Sequence, residues 1–195
     1  MARPPRFDSD QILDAAVRLA AAAGPGGVTM SAVAQAIGAP SGSVYHRFSG
    51  RPDLLAEVWL RTVERFQEGY FEALRSDPDP RRAARAAARH VVSWSRAHPH
   101  EASLLLYGAE EFGQSAWSEE HRDRADVGNR RVFASLRELA AALGAAGPLE
   151  RDRVTLALVD LPLTVVRRHL RAGDMMPPYA EELAEECAAA LLEVG

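Results

Sequence analysis

The sequence predicts an all-α fold: a small N-terminal three-helix head joined by a long helix to a larger helical body. Three observations carry this. Apolar residues recur with the 3.6-residue period of a helix, and from Pro80 onward no strand-like alternation appears. Proline and glycine punctuate those stripes at 24–27, 78–80, 99, 148 and 177–178. Residues 29–55, TMSAVAQAIGAPSGSVYHRFSGRPDLL, read as two short helices around a glycine turn, then a second turn and a long helix.

A length of 195 residues suits one domain, or a small domain merged with a larger one, and 47% apolar residues can fill a core. The net charge of −4 does not suit a general nucleic-acid binder. Its distribution is uneven: seven Arg face six acids up to residue 65, and sixteen Arg face twenty-one acids after it. That asymmetry points any DNA contact to the N-terminal end. Cys187 is the single cysteine, which excludes an internal disulfide framework and leads us to expect a reducing, cytoplasmic setting. No run approaches the ~20 apolar residues of a membrane helix. Arg3, Arg6 and the alanines after them imitate a signal peptide, but Asp8, Asp10, Asp14 and Arg18 interrupt its apolar region.

In chain order, residues 1–6 form a proline-broken arm with two Arg, either a groove-reaching arm or an incidental terminus. Asp8 is placed to cap the first helix, with Gln11 at the reciprocal position and Phe7 stapling to Ile12. Ile12, Ala16, Leu19, Ala20 and Ala23 form its stripe, and Gly24-Pro25-Gly26-Gly27 ends it. Thr29 caps the second helix, Val28 and Val33 staple it, and Val33, Ala36 and Ile37 share its inner face. Gly38 stops it by going left-handed, and Pro40 is expected at the first position of the third helix. There Val44 and Phe48 point inward while Ser41, Ser43, Tyr45, His46 and Arg47 face out, a set of groups suited to a DNA groove.

Pro52 opens the fourth helix, expected to reach Leu74 and to run from head into body. The fifth, 81–97, carries an apolar face through Ala84, Ala88, Val91 and Trp94, and an arginine row at 81, 85 and 89 read as solvated. Leu104, Leu105, Tyr107 and Ala109 are assigned to a helix closing near Gly113, and Ser118 caps a long one after it. Pro148 starts a helix whose 154–170 segment is apolar nearly all round and hence expected to be buried. Pro162 within it should bend it and free the carbonyl of Leu158 toward a cavity. The last helix follows Pro177-Pro178, striped with Ala180, Leu183, Ala184, Cys187, Ala188 and Leu191. Small residues on that stripe suit close packing on a second copy, and with Val165 they make the expected dimer interface: Leu183, Ala184, Cys187, Ala188 and Leu191.

Enzymatic signals are thin. No glycine-rich phosphate loop, nucleophile elbow or Glu-x-x-His pair occurs, and His98, His100 and Glu101 around Pro99 read as corner polars rather than metal ligands. No catalytic residue, metal or cofactor is therefore expected, and the chain is not expected to be an enzyme.

Thr29, Val33, Ala34, Gly38, Gly42, Ser43, Val44, Tyr45, Phe48, Arg51 and Leu54-Leu55 resemble, at fixed spacing, the N-terminal motif of the TetR family of bacterial transcriptional regulators. Three positions depart from it: Ile37 for a small residue, Pro40 for a capping Ser, and Arg51 for Lys. The resemblance implies a helix-turn-helix DNA-binding domain at 1–51 and a helical ligand-binding and dimerisation domain at 52–195. It implies that Tyr45 and Arg51 bond phosphates, as Thr29 does at its helix start. Pro40, Ser41, Gly42, Ser43, His46 and Arg47 complete the expected DNA-binding face, Arg47 being suited to bidentate guanine contact at ~1–3 kcal/mol of discrimination. The plainer reading of Tyr45 is a core-edge aromatic, and of His46 and Arg47 a solvated surface.

The resemblance also implies an apolar effector pocket in the body, assigned to Trp94, Tyr107, Phe112, Phe133, Thr164 and Arg168. Arg167 and His169 either neutralise an acidic ligand or face water. The function implied is a repressor that binds a palindromic DNA operator as a homodimer and is released by a small-molecule effector. An all-helical enzyme or cofactor-binding protein with a vestigial head, or a protein-binding adaptor, are the other readings.

Overall fold

A computed structural model describes residues 8–145 and 147–193, so the expected arm at 1–6 and the Phe7 staple lie outside it. Among the described residues every regular element is helical. The helices are α1 (Ser9–Ala23), α2 (Met30–Ala36), α3 (Ser41–Tyr45), α4 (Arg51–Leu74), α5 (Pro80–Ala97), α6 (Pro99–Leu105), α7 (Glu119–Ala142), α8 (Pro148–Thr155), α9 (Leu161–Ala172) and α10 (Ala180–Glu193). No helix among the described residues is long and apolar enough to cross a membrane.

The chain divides into two compact units. The first ends at Val63 and takes in Ser103–Ala125; the second holds Glu64–Ala102 and the chain from Asp126 on. In the first, the Asp8 carboxylate accepts from the Gln11 amide at 2.8 Å, capping α1 as its sequence predicts. Ile12, Ala16 and Ala20 are buried with Leu13, Ala15 and Val17, a broader face than the expected stripe, while Ala23 is exposed. They pack with Val28, Val33, Val44, Phe48, Leu54 and Val58 in one core. On α2 the buried partner of Val33 is Ala34, not Ala36, which is exposed. Leu104, Phe112 and Trp117 close this core, and the Trp117 indole donates to the Phe112 carbonyl at 3.0 Å. α6 is shorter than expected: it begins at Pro99 and ends at Leu105. Tyr107 and Ala109 lie in turns, where Gly108 donates its amide to the Glu111 carboxylate at 2.9 Å.

In the second unit α5 and α10 run antiparallel. Ala84, Ala87 and Ala88 of α5 pack in the same cores as Ala180, Ala184 and Ala188 of α10. The small residues do serve close approach, but within one chain: Ala184 and Ala188 are fully buried here and are not free to face a second copy. The arginine row of α5 is not merely solvated. Arg81 donates to the Leu192 carbonyl at 2.8 Å, Arg89 reaches Glu185 at 3.0 Å and Glu181 at 2.5 Å, and Arg96 also meets Glu181.

The segment before Pro162 departs from regular α-helix. Between α8 and α9, Leu156–Asp160 winds as a π-helical turn, the local widening that lets a helix accommodate a residue without an amide donor. The Leu158 carbonyl freed by Pro162 meets the Tyr70 hydroxyl at 3.4 Å rather than a cavity. Nor is 154–170 buried all round. Val154, Ala157, Leu158, Pro162 and Val166 are inside, but Leu156 is 40% exposed, and Asp160, Thr164, Arg167 and Arg168 face out.

Candidate nucleic-acid interface

The outward face of α3 is set by what its inner face must bury. Thr29 Oγ1 accepts from the Ala32 amide at 3.0 Å, fixing the start of α2. At its end Gly38 takes φ +65° and Ala39 donates back to the Ala34 carbonyl at 2.9 Å, the left-handed stop that needs no side chain. Pro40 is the N-cap of α3 rather than its first helical residue: with ψ 141° it is still extended, and it offers no side-chain acceptor. Its carbonyl takes the Ser43 amide at 2.9 Å. The α-helix proper ends at Tyr45, but amide bonds from His46 to Gly42 and from Phe48 to Val44, each 3.0 Å, carry the turn to Phe48.

Val44 and Phe48 are buried in the first unit's core, and this anchors the rest. Ser41, Gly42, Tyr45, His46 and Arg47 are exposed and Ser43 is half-buried. Tyr45, at 57% exposure, is not a core-edge aromatic. A side chain at Gly42 would meet no atom within 4 Å, so this face is open to close approach.

Arg51 is placed differently from its expected role. Its Nε donates to the Val28 carbonyl at 2.7 Å and its Nη2 to the Pro25 carbonyl at 2.9 Å. These carbonyls belong to the corner between α1 and α2, so the guanidinium ties the start of α4 to that corner. A planar fork suits two divergent carbonyls as an ammonium would not. A second tie is Arg61, whose guanidinium meets Asp14 at 2.7 Å and Asp10 at 3.4 Å on α1.

Of the six residues expected to line an effector pocket, Tyr107 and Phe112 fall in the first unit and Trp94, Phe133, Thr164 and Arg168 in the second. Phe112 is fully buried in the first unit, with Tyr107 edge-on to it at 6.2 Å between centroids. Trp94 belongs to the second unit, edge-on to Phe66 at 5.3 Å and tilted against His98 at 4.8 Å between centroids. Phe133 is 62% exposed, Arg168 faces out, and the Thr164 hydroxyl is bonded to the Asp160 carbonyl at 2.8 Å. Helical periodicity sets the face each occupies on its own helix but not which helix covers it. Arg167 is exposed and His169 half-buried. Of the corner polars, Glu101 is committed to Arg65 at 3.2 Å. Of the expected dimer residues, Leu183 is exposed and Val165, Cys187 and Leu191 are half-buried.

Residues 12–58 match the family described as bacterial regulatory proteins, tetR family. No curated protein sequence matches the chain. Similar solved structures span its length. The fatty acid degradation regulator FadR from Bacillus halodurans is 20% identical, with a TM-score of 0.73 over 100% of this chain and 98% of that one. A transcriptional regulator from Rhodococcus sp. RHA1 is 23% identical, with a TM-score of 0.71 over 96% and 97%. FadR from Bacillus subtilis, solved in complex with stearoyl-CoA, is 17% identical, with a TM-score of 0.73 over 95% and 98%.

Proposed function

We propose that this chain, whose residues 12–58 are a tetR-family helix-turn-helix domain in an all-helical fold of the same kind, is a DNA-binding transcriptional repressor released by a small molecule. The observation that carries the DNA reading is the outer face of α3. Tyr45, His46 and Arg47 stand exposed on a turn whose opposite side, Val44 and Phe48, is locked in the core. In this reading Tyr45 bonds a phosphate and sets register, Thr29 brings a hydroxyl and a helix start to another, and Ser41, Ser43, His46 and Arg47 meet base edges. Arg51 acts chiefly by holding the corner that presents them.

The functional head is 1–51 and the body 52–195. Two chains would pair through α9 and α10, using Val165, Leu183, Cys187 and Leu191, none of which is fully buried. The twofold places two α3 helices about one helical turn, ~34–36 Å, apart on a palindrome. An effector that binds one body conformation better than another would shift the spacing of the two α4 helices and release the DNA. Since one structural neighbour was solved with stearoyl-CoA, long-chain acyl thioesters are the first effectors to screen. The experiment is a mobility-shift assay on the region upstream of the chain's own gene and on palindromes selected from a random pool. Retention of a palindrome in moderate salt supports the reading, and failure to retain any duplex removes it.

A further inference from the structure

The first unit buries one imidazole that no part of the DNA face explains. His121, in the first turn of α7, is 8% exposed. Its Nδ1 lies 2.8 Å from the Ser118 Oγ, which also accepts the His121 amide at 3.2 Å. Its Nε2 lies 3.0 Å from Glu57 Oε1 and 3.5 Å from Asp53 Oδ1, both on the first two turns of α4. Two carboxylate acceptors facing one nitrogen require Nε2 to carry a hydrogen. Glu57 Oε1 also receives Arg124 at 2.6 Å. The ring is held from both sides by groups of two different helices.

The other oxygen of Asp53 makes the connection matter. Asp53 Oδ2 accepts from the Ser49 amide at 2.7 Å and from the Ser49 hydroxyl at 3.2 Å. Ser49 follows Phe48, the buried residue that closes the turn after α3. One carboxylate therefore ties the exit of the DNA-reading turn on one side and faces the buried imidazole on the other. We infer that His121 is a positioning residue for DNA binding: through Asp53 and Glu57 it fixes the start of α4, and through Ser49 the end of the turn that carries Tyr45 and Arg47. Ser118 at the N-terminus of α7 sets the ring, so a shift of α7's first turn is passed to Asp53. Ser118 and His121 pair at the start of α7 as a cap, and a capping role alone would leave Nε2 without a partner, whereas that nitrogen reaches across to α4.

The inference rests on the DNA-binding reading above, and the test separates the two. Affinity for a palindrome selected by the wild-type protein is measured at fixed salt for His121→Leu, His121→Gln, Asp53→Asn and the His121→Leu/Asp53→Asn double variant, with a urea melt of each. The Gln amide can return a donor to the place of Nε2. The expected result is that folded His121→Leu binds about tenfold more weakly, that His121→Gln stays within about threefold of wild type, and that the double variant is no worse than the poorer single one. Wild-type affinity in folded His121→Leu overturns the inference, as does an equal loss in the Leu and Gln variants, or additive losses in the double. If His121→Leu does not fold, the same cycle run with His121→Asn, whose shorter amide stops short of α4, and Ser49→Ala decides it: coupled losses support the inference and independent ones overturn it. A wild-type protein that binds no duplex overturns the DNA reading itself and this inference with it.

Discussion

The hydroxyl of Tyr70 donates to the carbonyl of Leu158 across 3.4 Å, the carbonyl that Pro162 deprives of its helical amide. A proline in a helix leaves one acceptor without a backbone donor, and here a phenol on α4 answers it from inside the second unit. Burial pushes the Tyr70 hydroxyl well above the ordinary phenol range, so it stays a donor. Tyr70→Phe should cost about 1 kcal/mol in a urea melt, the bond being long. In a Pro162→Ala background, where an amide is restored, that cost should shrink. The unfolded chain loses this proton more readily than the folded one, so Tyr70 makes stability fall as pH rises above about 10. Tyr70→Phe should flatten that alkaline limb.

Arg51 holds two backbone carbonyls through a planar fork. Arg51→Ala should lower stability by about 1–2 kcal/mol, and Arg51→Lys should recover only part of it. Because the group is committed to Val28 and Pro25, the salt dependence of DNA affinity should change little in folded Arg51→Ala. Were the guanidinium instead bonded to a phosphate, Arg51→Ala would reduce the salt slope by about one.

Glu181 is 5% exposed at the start of α10, against Arg89 and Arg96. Glu181→Gln leaves those guanidiniums without their shared anion. Both are nearly half exposed to water, so the expected loss is about 1–2 kcal/mol, below that of a fully buried pair. Denaturant melts at low and high salt should give the same sign, with the smaller loss at high salt.

Gly69 leaves room for a ring. A Cβ there would lie 2.5 Å from His90 Cε1, and His90 is held by the Phe66 carbonyl at 3.1 Å and by the rings of Phe66 and Tyr70. Gly69→Ala should therefore destabilise by about 1–3 kcal/mol despite alanine's better helix propensity, and His90→Ala should relieve it. Burial holds the His90 imidazole below its ordinary range. The unfolded chain takes up that proton first, so His90 stabilises at neutral pH, and this contribution fades as pH falls below about 6.5. The acid limb of a stability profile should be shallower in His90→Ala.

What the residues alone reveal is local. The Asp8 and Thr29 caps, the Gly38 stop and the freed Leu158 carbonyl are each decided within three or four positions along one helix. The outward set on α3 is legible because Val44 and Phe48 fix which side is inside. What escapes depends on partners far along the chain: Arg51 with Pro25 and Val28, Glu181 with α5, His121 with α4. Periodicity cannot tell that Phe112 is enclosed while Phe133 is open, since both are large apolar residues on helical or turn segments whose coverings come from elsewhere. Ala184 and Ala188 do form a close-packing stripe, but against α5 of the same chain, because a stripe does not say which helix it meets.

In the proposed function, α3 and the turn after it present Tyr45 and Arg47 to a duplex. The most direct measurement is salt-dependent affinity and footprinting on a selected palindrome for wild type, Tyr45→Phe and Arg47→Ala. Expected are two protected patches about one helical turn apart, a uniform loss across sites for Tyr45→Phe, and for Arg47→Ala a loss of preference at particular bases worth about 1–3 kcal/mol. Protection that is absent in wild type, or unchanged affinity and base preference in both variants, would contradict it.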